Sequence, residues 1–243
     1  MIILIRKRSF LLSAFLCCFF IGLAAVFWYG RAPAAPAFAA QTGKPVTVVV
    51  DAGHGGEDGG AVSPDGVEES RINLEIAVRV NDLLRFAGQE TVLTRREDVT
   101  IADPDLATVR QRKVSDLQNR VALVNGTENA VLLSIHQNSL PSSVVTHGAQ
   151  VFWNQREGAK TLAEAVQETL NELVNTGNAK KPKPIPATIY LMKNITAPGV
   201  IVECGFLSNP EETVRLQEPS YQLKLAAAVA AGYLRCGAGE EIS

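Results

Sequence analysis

Apolar runs of the kind found in buried strands alternate along the chain with segments of helical periodicity. The first run, residues 46–50, is almost entirely β-branched, which is typical of a strand buried on both faces. It ends in a Gly-rich loop, where the backbone is free to turn sharply. Comparable patterns predict further strands at 91–94, 130–136, 148–153 and 199–203.

Between these strands, apolar residues recur three and four positions apart, as on the buried face of an amphipathic helix. Such segments run from Ile72 to near Gly88, from Leu117 to 125–126, from Leu162 to 175–177, and from Pro219 to Leu234. Residues 97–110 are predicted to form an irregular loop. Residues 180–186 are expected to have no regular structure, because their prolines cannot donate backbone hydrogen bonds. The alternation predicts a single α/β domain whose central sheet, mostly parallel or mixed, is flanked by helices.

The N-terminal segment has the features of an export signal. Basic residues at 6–8 precede an uncharged run at 10–29, which is long enough to cross a hydrocarbon core of about 30 Å. Residues 1–30 are therefore predicted to be a signal peptide or an N-terminal membrane anchor, followed by an Ala/Pro-rich linker at 31–44. We expect an exported catalytic domain at 45–236, a short tail at 237–243, and a location outside the cytoplasm, either membrane-anchored or secreted.

Charge and cysteine content narrow the functional classes. A formal net charge of −2 gives no electrostatic argument for binding nucleic acid. Within the predicted domain there are two cysteines, Cys204 and Cys236. They can pair in an oxidising compartment, but two cysteines do not make a disulfide framework, so we expect buried or free thiols.

Four polar residues stand where a site can form. His54, His136 and Glu203 lie at or just past the carboxyl ends of predicted buried strands, and helical crossovers bring such ends to one edge of a sheet. Glu69 begins the first helix within reach of that edge, although Glu68 has almost the same claim. Two imidazoles and a carboxylate, with a fourth position for water, make a catalytic zinc site. Glu203 would then be a general base, since partial burial raises a carboxyl pKa.

Each of these residues also has a simpler interpretation. Glu69 alone can oppose the helix macrodipole, and His54 or His136 alone can be a polar residue at the end of a strand. His147 is predicted to be a loop histidine without a catalytic part.

Two other enzyme classes are excluded by sequence. A dinucleotide motif that starts at Gly53 would need glycine where Asp58 stands. Ser134 lies on a predicted strand and not in the turn of a nucleophile elbow, which argues against a serine hydrolase.

Six motifs follow one another between about Pro45 and Leu234. They are Val-Asp-Ala-Gly-His-Gly-Gly (50–56), Glu69 with Asn73, Leu-Thr-Arg (93–95), Arg-Val-Ala-Leu-Val-Asn (120–125), Ser-Ile-His-Gln-Asn (134–138) and Val-Glu-Cys-Gly-Phe-Leu-Ser-Asn-Pro (202–210). Together they resemble the zinc-dependent N-acetylmuramoyl-L-alanine amidases. The resemblance implies Zn²⁺ held by His54, Glu69 and His136, with Glu203 as the catalytic carboxylate. It favours Glu69 over Glu68, because the family glutamate stands four residues before the asparagine.

The activity that the resemblance implies is hydrolysis of the amide between muramic acid and L-alanine in peptidoglycan. Residues 112–120 and 197–203 are similar to the spore-cortex branch of the family, which strips stem peptides before muramic δ-lactam forms. Three alternatives stay open: a vegetative autolysin, a zinc peptidase or deacetylase acting on the same polymer, and a non-catalytic peptidoglycan-binding protein. Peptidoglycan is the expected partner, and the sequence leaves open whether an activating envelope protein is a second one.

Some expectations concern the surroundings of the site. Asn138 or backbone groups are predicted to stabilise the oxyanion, and Arg95 and Arg120 either form salt bridges within the fold or contact the anionic stem peptide. Gln137 replaces the small residue that is usual in the family and is expected to narrow the cleft, while Cys204 follows the predicted catalytic glutamate. With one helix predicted between 154 and 186, there is little room for a helix that blocks the site.

Overall fold

A computed structural model describes residues 45–238. The predicted signal or anchor segment and the linker lie outside the described residues, as does most of the predicted tail. No helix within the described range has both the length and the apolar character that a membrane crossing requires.

Six strands form one mixed sheet in the order β2-β1-β3-β6-β4-β5. They are β1 (Thr47–Ala52), β2 (Glu90–Leu93), β3 (Ala130–Asn138), β4 (Gln150–Trp153), β5 (Lys183–Pro184) and β6 (Gly199–Phe206). The strands β2, β1, β3 and β6 are parallel to one another, whereas β4 pairs antiparallel with β6. The predicted α/β fold with a mixed sheet is confirmed.

The helices are α1 (Glu69–Phe86), α2 (Val109–Gly126), α3 (Ala159–Leu173), α4 (Tyr190–Asn194), α5 (Pro210–Leu216) and α6 (Pro219–Ala238). The four longer helices are those predicted. Helix α2 begins inside the expected loop because Thr108 and Gln111 form a capping box, which satisfies backbone donors at its start. Between residues 154 and 186 the structure has the one helix expected, α3.

Apolar side chains cover both faces of the sheet. Val48 and Val50 belong to a core shared with α1, α3 and α6, whereas Val49 belongs to a second core shared with α2 and α4. Successive strand residues point to opposite faces, so a strand covered by helices on both sides must be apolar throughout. This arrangement explains the β-branched run of β1. Cys204 and Cys236 are buried and no disulfide joins them, as expected.

The absence of regular structure predicted for residues 180–186 is wrong at two positions. Lys183 and Pro184 form β5, which pairs parallel with β4 at the edge of the sheet. The proline is tolerated because the donor to β4 is the next residue, Ile185, whose backbone N–H bonds the Trp153 carbonyl at 2.8 Å.

Candidate active site

His54 stands in the Gly-rich loop that follows β1 and has a left-handed backbone, with φ at 60°. That conformation is unusual for a residue with a side chain. It is supported by Arg120, whose Nη2 donates to the His54 carbonyl at 2.7 Å. The imidazole Nδ1 lies 2.9 Å from Asp58 Oδ2, which leaves Nε2 directed toward Glu69 at 3.5 Å.

Asp58 orients the first imidazole. The hydrogen bond with His54, together with Lys113 at 3.0 Å, outweighs burial and holds the pKa of Asp58 well below its usual range. Asp58 is therefore an anion that fixes the ring of His54 in the manner of carboxylates behind metal-binding histidines. The sequence patterns do not single out Asp58, although a carboxylate four residues after a loop histidine is a usable signal.

Glu69 is the first residue of α1 and is 3% exposed. Its Oε1 lies 2.8 Å from His136 Nδ1, and its Oε2 accepts from the backbone N–H of Ala61 at 2.8 Å. Burial alone would raise the pKa of Glu69, but the hydrogen bond and charge of His136 and the charge of His54 lower it to about 2. Glu68 points elsewhere, toward Arg71. The structure therefore brings Glu69, and not its neighbour, to the imidazoles.

The two imidazoles lie nearly perpendicular to each other, and both approach this carboxylate. The ring centroids of His54 and His136 are 5.0 Å apart, and one ligand atom each from His54, Glu69 and His136 fall within 4.8 Å of one another. Burial alone would lower the pKa of His136. The hydrogen bond with Glu69 and the charge of that carboxylate together outweigh burial and raise the pKa to about 9. These three groups can together hold a metal ion.

Two glycines make room for these side chains. A Cβ on Gly53 would lie 2.3 Å from the His136 ring, and one on Gly60 would lie 2.6 Å from Glu69 Oε2. Both distances are shorter than real contacts permit. The glycines of the loop thus clear space for the candidate ligands themselves.

Glu203 stands on β6 directly beside His136 in the parallel register. The residue is half-buried, and its Oε2 is a buried atom without a hydrogen-bond partner among the described residues. Burial raises the pKa of Glu203 to about 7, with the charge of Glu69 adding to the rise and that of His136 opposing it. A carboxylate with this pKa can take up and release a proton near neutrality.

Asn138 ends β3 close to the same edge. Its Oδ1 accepts from the backbone N–H of Ser139 at 2.8 Å, which directs the oxygen into the following loop. Its part in stabilising an oxyanion stays a prediction. His147 is exposed and its Nδ1 lies 3.0 Å from the Val145 carbonyl, in keeping with a loop histidine.

Arg95 and Arg120 lie beneath the His54 loop. Arg95 donates to the carbonyls of Ala52, Gly53 and Ser70, and its side chain is wholly buried. Its predicted contact with substrate is therefore not supported, because its donors are used inside the protein. The alternative role within the fold is the one that these contacts support.

Arg120 is also held inside the protein. It forms ion pairs with Asp51 and with Asp116, the latter at 2.6 Å, and donates to the Ala52 carbonyl at 2.8 Å. The two guanidinium groups thus hold the loop through its backbone carbonyls.

Gln137 does not line the cleft. Its side chain is 3% exposed and its Nε2 donates to Asn73 Oδ1 at 3.1 Å, on the side of the sheet that faces α1. The expectation that it narrows the cleft is wrong. Successive residues of β3 point to opposite faces of the sheet, so the side chain of Gln137 points away from the face that carries His136.

Comparison with known proteins agrees with this arrangement. The family model described as N-acetylmuramoyl-L-alanine amidase, Amidase_3, matches residues 48–235. A germination-specific N-acetylmuramoyl-L-alanine amidase from Bacillus subtilis is 38% identical over 189 residues, which cover 77% of this chain and 78% of the relative.

Solved structures give the same result. The CwlD amidase from Clostridioides difficile, solved in complex with the GerS lipoprotein, superposes with a TM-score of 0.75 at 34% identity, covering 79% of this chain and 98% of the other. An N-acetylmuramoyl-L-alanine amidase from Clostridium difficile 630 superposes with a TM-score of 0.66 at 28% identity, covering 79% and 96%. The family resemblance carried by the six motifs is confirmed. The chain therefore belongs to the Amidase_3 family, the N-acetylmuramoyl-L-alanine amidases.

Proposed function

We propose that this N-acetylmuramoyl-L-alanine amidase binds zinc through His54, Glu69 and His136, uses Glu203 as its general base, and strips stem peptides from peptidoglycan during maturation of the spore cortex. The scissile bond joins the lactyl carbonyl of muramic acid to the nitrogen of L-alanine. Water adds across this bond, so that muramic acid gains a free carboxyl group and the stem peptide a free amine.

One observation carries the proposal: the convergence of His54, Glu69 and His136 within 4.8 Å, beside a buried carboxylate oxygen of Glu203 that no polar group among the described residues contacts. Two imidazoles and a carboxylate are a ligand set that zinc takes in hydrolases. A buried polar atom without a partner is costly, which supports a role for Glu203 toward a substrate or water. The residues present therefore fit the metal.

Zinc held there supplies Lewis-acid activation of the scissile carbonyl and of water. Glu203 Oε2 accepts the proton that the attacking water loses and delivers it to the departing L-alanine nitrogen. The raised pKa of Glu203, about 7, suits both transfers. The Nδ2 group of Asn138 is the proposed donor to the oxyanion.

The spore-cortex role rests on similarity. The chain is 38% identical to the germination-specific amidase of Bacillus subtilis. Residues 112–120 and 197–203 also resemble the spore-cortex branch of the family. Because its polymer lies outside the cytoplasm, we place the enzyme there as well, with residues 10–29 as the exporting segment. The solved relative forms a complex with the GerS lipoprotein, and we extend this to an envelope protein partner for this chain.

Replacing Glu203 with Ala tests the mechanism. We expect release of peptides that begin with a free L-alanine amine to fall by at least about 100-fold, because the proton acceptor is lost. Bound zinc, measured by elemental analysis, should stay near one ion per chain. Glu68→Ala is the matched control and should keep its activity, since that carboxylate points toward Arg71. Full activity of the Glu203→Ala variant would contradict the mechanism.

The substrate is tested by mass spectrometry of digested cortex and vegetative peptidoglycan, with the partner protein present or absent. The proposal expects intact glycan strands, peptides with a free L-alanine amine, and faster digestion of cortex. Faster digestion of vegetative wall would favour an autolysin. Cleavage within the stem peptide, or loss of acetyl groups, would identify a peptidase or a deacetylase.

A further inference from the structure

A buried chain of side-chain amides reaches the candidate metal site from the α1 side of the sheet. Gln137 Nε2 donates to Asn73 Oδ1 at 3.1 Å, and Asn73 Nδ2 donates to Glu69 Oε1 at 3.1 Å and to the Gly53 carbonyl at 3.2 Å. Asn73 is completely buried and Gln137 is 3% exposed. This series of hydrogen-bonded amides therefore connects the interior of the protein to the candidate ligand Glu69 without exposure to solvent.

The direction of these bonds is fixed by chemistry. Ionised Glu69 and the Gly53 carbonyl can only accept, so Asn73 must turn its NH₂ group toward them. Its Oδ1 then faces the interior and needs a donor, which Gln137 Nε2 supplies. If that donor were lost, the Asn73 oxygen would be left buried without a partner, or the amide would have to turn away from Glu69.

Gln137 fills this role at a cost. Its Oε1 is a buried atom with no hydrogen-bond partner among the described residues. A small or apolar residue would avoid that cost, so packing alone does not account for a glutamine here. What the glutamine adds is the bond to Asn73, together with a contact to the buried Cys204 thiol.

Both residues act on the same carboxylate. The backbone N–H of Gln137 donates to Glu69 Oε1 at 3.1 Å, beside the bond from Asn73. These donors stabilise the ionised form and fix the plane of the carboxylate between the imidazoles of His54 and His136.

We infer that Asn73 and Gln137 are positioning residues that orient Glu69 and thereby set the affinity of the site for its metal. The inference rests on the proposed zinc site and deepens it. Both are buried away from the substrate: Asn73 acts through Glu69, and the side chain of Gln137 acts through Asn73.

The test is a double-mutant cycle on metal affinity, measured by competition with a zinc chelator. Gln137→Met keeps the volume and removes the donor, and Asn73→Leu does the same at the second position. We expect zinc to bind about 10-fold more weakly in Gln137→Met and about 10- to 100-fold more weakly in Asn73→Leu. The double variant should match Asn73→Leu within about twofold, because Gln137 acts through Asn73.

The visible absorption of the Co²⁺-substituted protein gives a second readout. A reoriented Glu69 should change the intensity of this absorption in both variants, which a loss of stability alone would not do. Gln137→Leu, which also lacks the donor, replaces Gln137→Met if the latter folds poorly.

A matched control is Gln167→Met. Gln167 is also buried, and its amide bonds the backbone of Val151 in β4 and of Ala149 just before β4. It should destabilise the metal-free protein without changing zinc affinity or the Co²⁺ spectrum. Affinity of Gln137→Met within twofold of the original protein, or independent losses in the cycle, would overturn the inference. Failure of the original protein to bind zinc would instead overturn the proposed function.

Discussion

Single residues shape this site as much by the atoms they lack as by those they carry. Gly53 has no Cβ, and the His136 ring occupies the space where one would be. Its φ is not among the positive values, so the requirement for glycine comes from the neighbouring ring and not from the backbone. The orientation of a candidate ligand therefore depends on a residue that has no side chain of its own.

Gly53→Ala tests this dependence. The added methyl group would lie 2.3 Å from the His136 ring, so the ring must leave its present position beside Glu69. We expect zinc affinity to fall by at least about 10-fold while the circular dichroism of the fold is kept. The control is Gly126→Ala at the end of α2, where an added Cβ meets nothing within 4 Å. An unchanged affinity of Gly53→Ala would show that the site tolerates movement of His136.

The main residues of the site could be predicted from sequence because they lie at the ends of apolar strands. His54, His136 and Glu203 follow such runs, and parallel strands bring their ends together. The inward orientation of Gln137 could also be predicted, because successive residues along β3 point to opposite faces of the sheet. The motif alone suggests a residue that lines the cleft. The spacing of four residues offers Asp58 as a candidate partner of His54, but the contact itself depends on a left-handed backbone at His54, which the sequence pattern does not predict.

At the scale of elements, the short helix α5 connects parts of the sheet that are distant in sequence. Its residue Glu212 is 3% exposed and accepts backbone N–H groups from Gly148, before β4, and from Phe206, at the end of β6, each at 2.8 Å. Burial raises the pKa of Glu212 against the effect of these two donors. The carboxylate joins the antiparallel strand to the parallel part of the sheet.

Glu212→Ala should destabilise the fold. Two buried N–H groups lose their acceptor, so we expect a loss of about 2–4 kcal/mol in the free energy of unfolding. Urea denaturation of the metal-free protein measures it. Glu211→Ala is the matched control, because Glu211 lies in the same first turn, shares the helix dipole and is exposed. Equal losses in the two variants would mean that the dipole, and not the two bonds, explains the effect.

Elements as short as α5 could not be predicted from periodicity. Helices α4 and α5 have 5 and 7 residues, too few for an apolar repeat to appear. The start of α5 does carry a local signal, since Asn209 caps the helix and Pro210 follows it. The long helices and the core strands were predictable because each repeats its pattern over several turns or residues.

At the scale of the whole molecule, a buried charge network lies between the sheet and α2. Asp51 on β1 and Asp116 on α2 flank Arg120, and Ser134 on β3 donates its hydroxyl to Asp51 at 2.6 Å. Burial alone would raise the pKa of Asp51, but Arg120 and Ser134 lower it below its usual value. Three elements are therefore held together by a carboxylate that must stay ionised.

Asp51→Asn should weaken the fold in a pH-dependent way. Removing one partner of a buried ion pair costs about 3–5 kcal/mol, and we expect a loss of this size at about pH 7. Because the folded pKa is lowered, the stabilisation is complete above the unfolded pKa of about 3.9 and is lost as pH falls toward the folded value. The difference between the two proteins should therefore shrink in acid.

Urea denaturation of both metal-free proteins at several pH values measures this difference. Glu172→Gln is the control, because it breaks a half-exposed pair with Arg235 and should cost about 0–1 kcal/mol. A difference between original and Asp51→Asn proteins that does not vary with pH would contradict the assignment of ionised Asp51.

The two-residue strand β5 also bears on self-association of the protein at high concentration. An uncovered sheet edge offers unpaired backbone groups to any passing chain, and a long one invites fibrous self-association. Here the edge beyond β4 ends in Lys183 and Pro184, one charged and one unable to donate, and both are exposed. We therefore expect this edge of the sheet to resist pairing with the sheet of a second copy when the protein is concentrated.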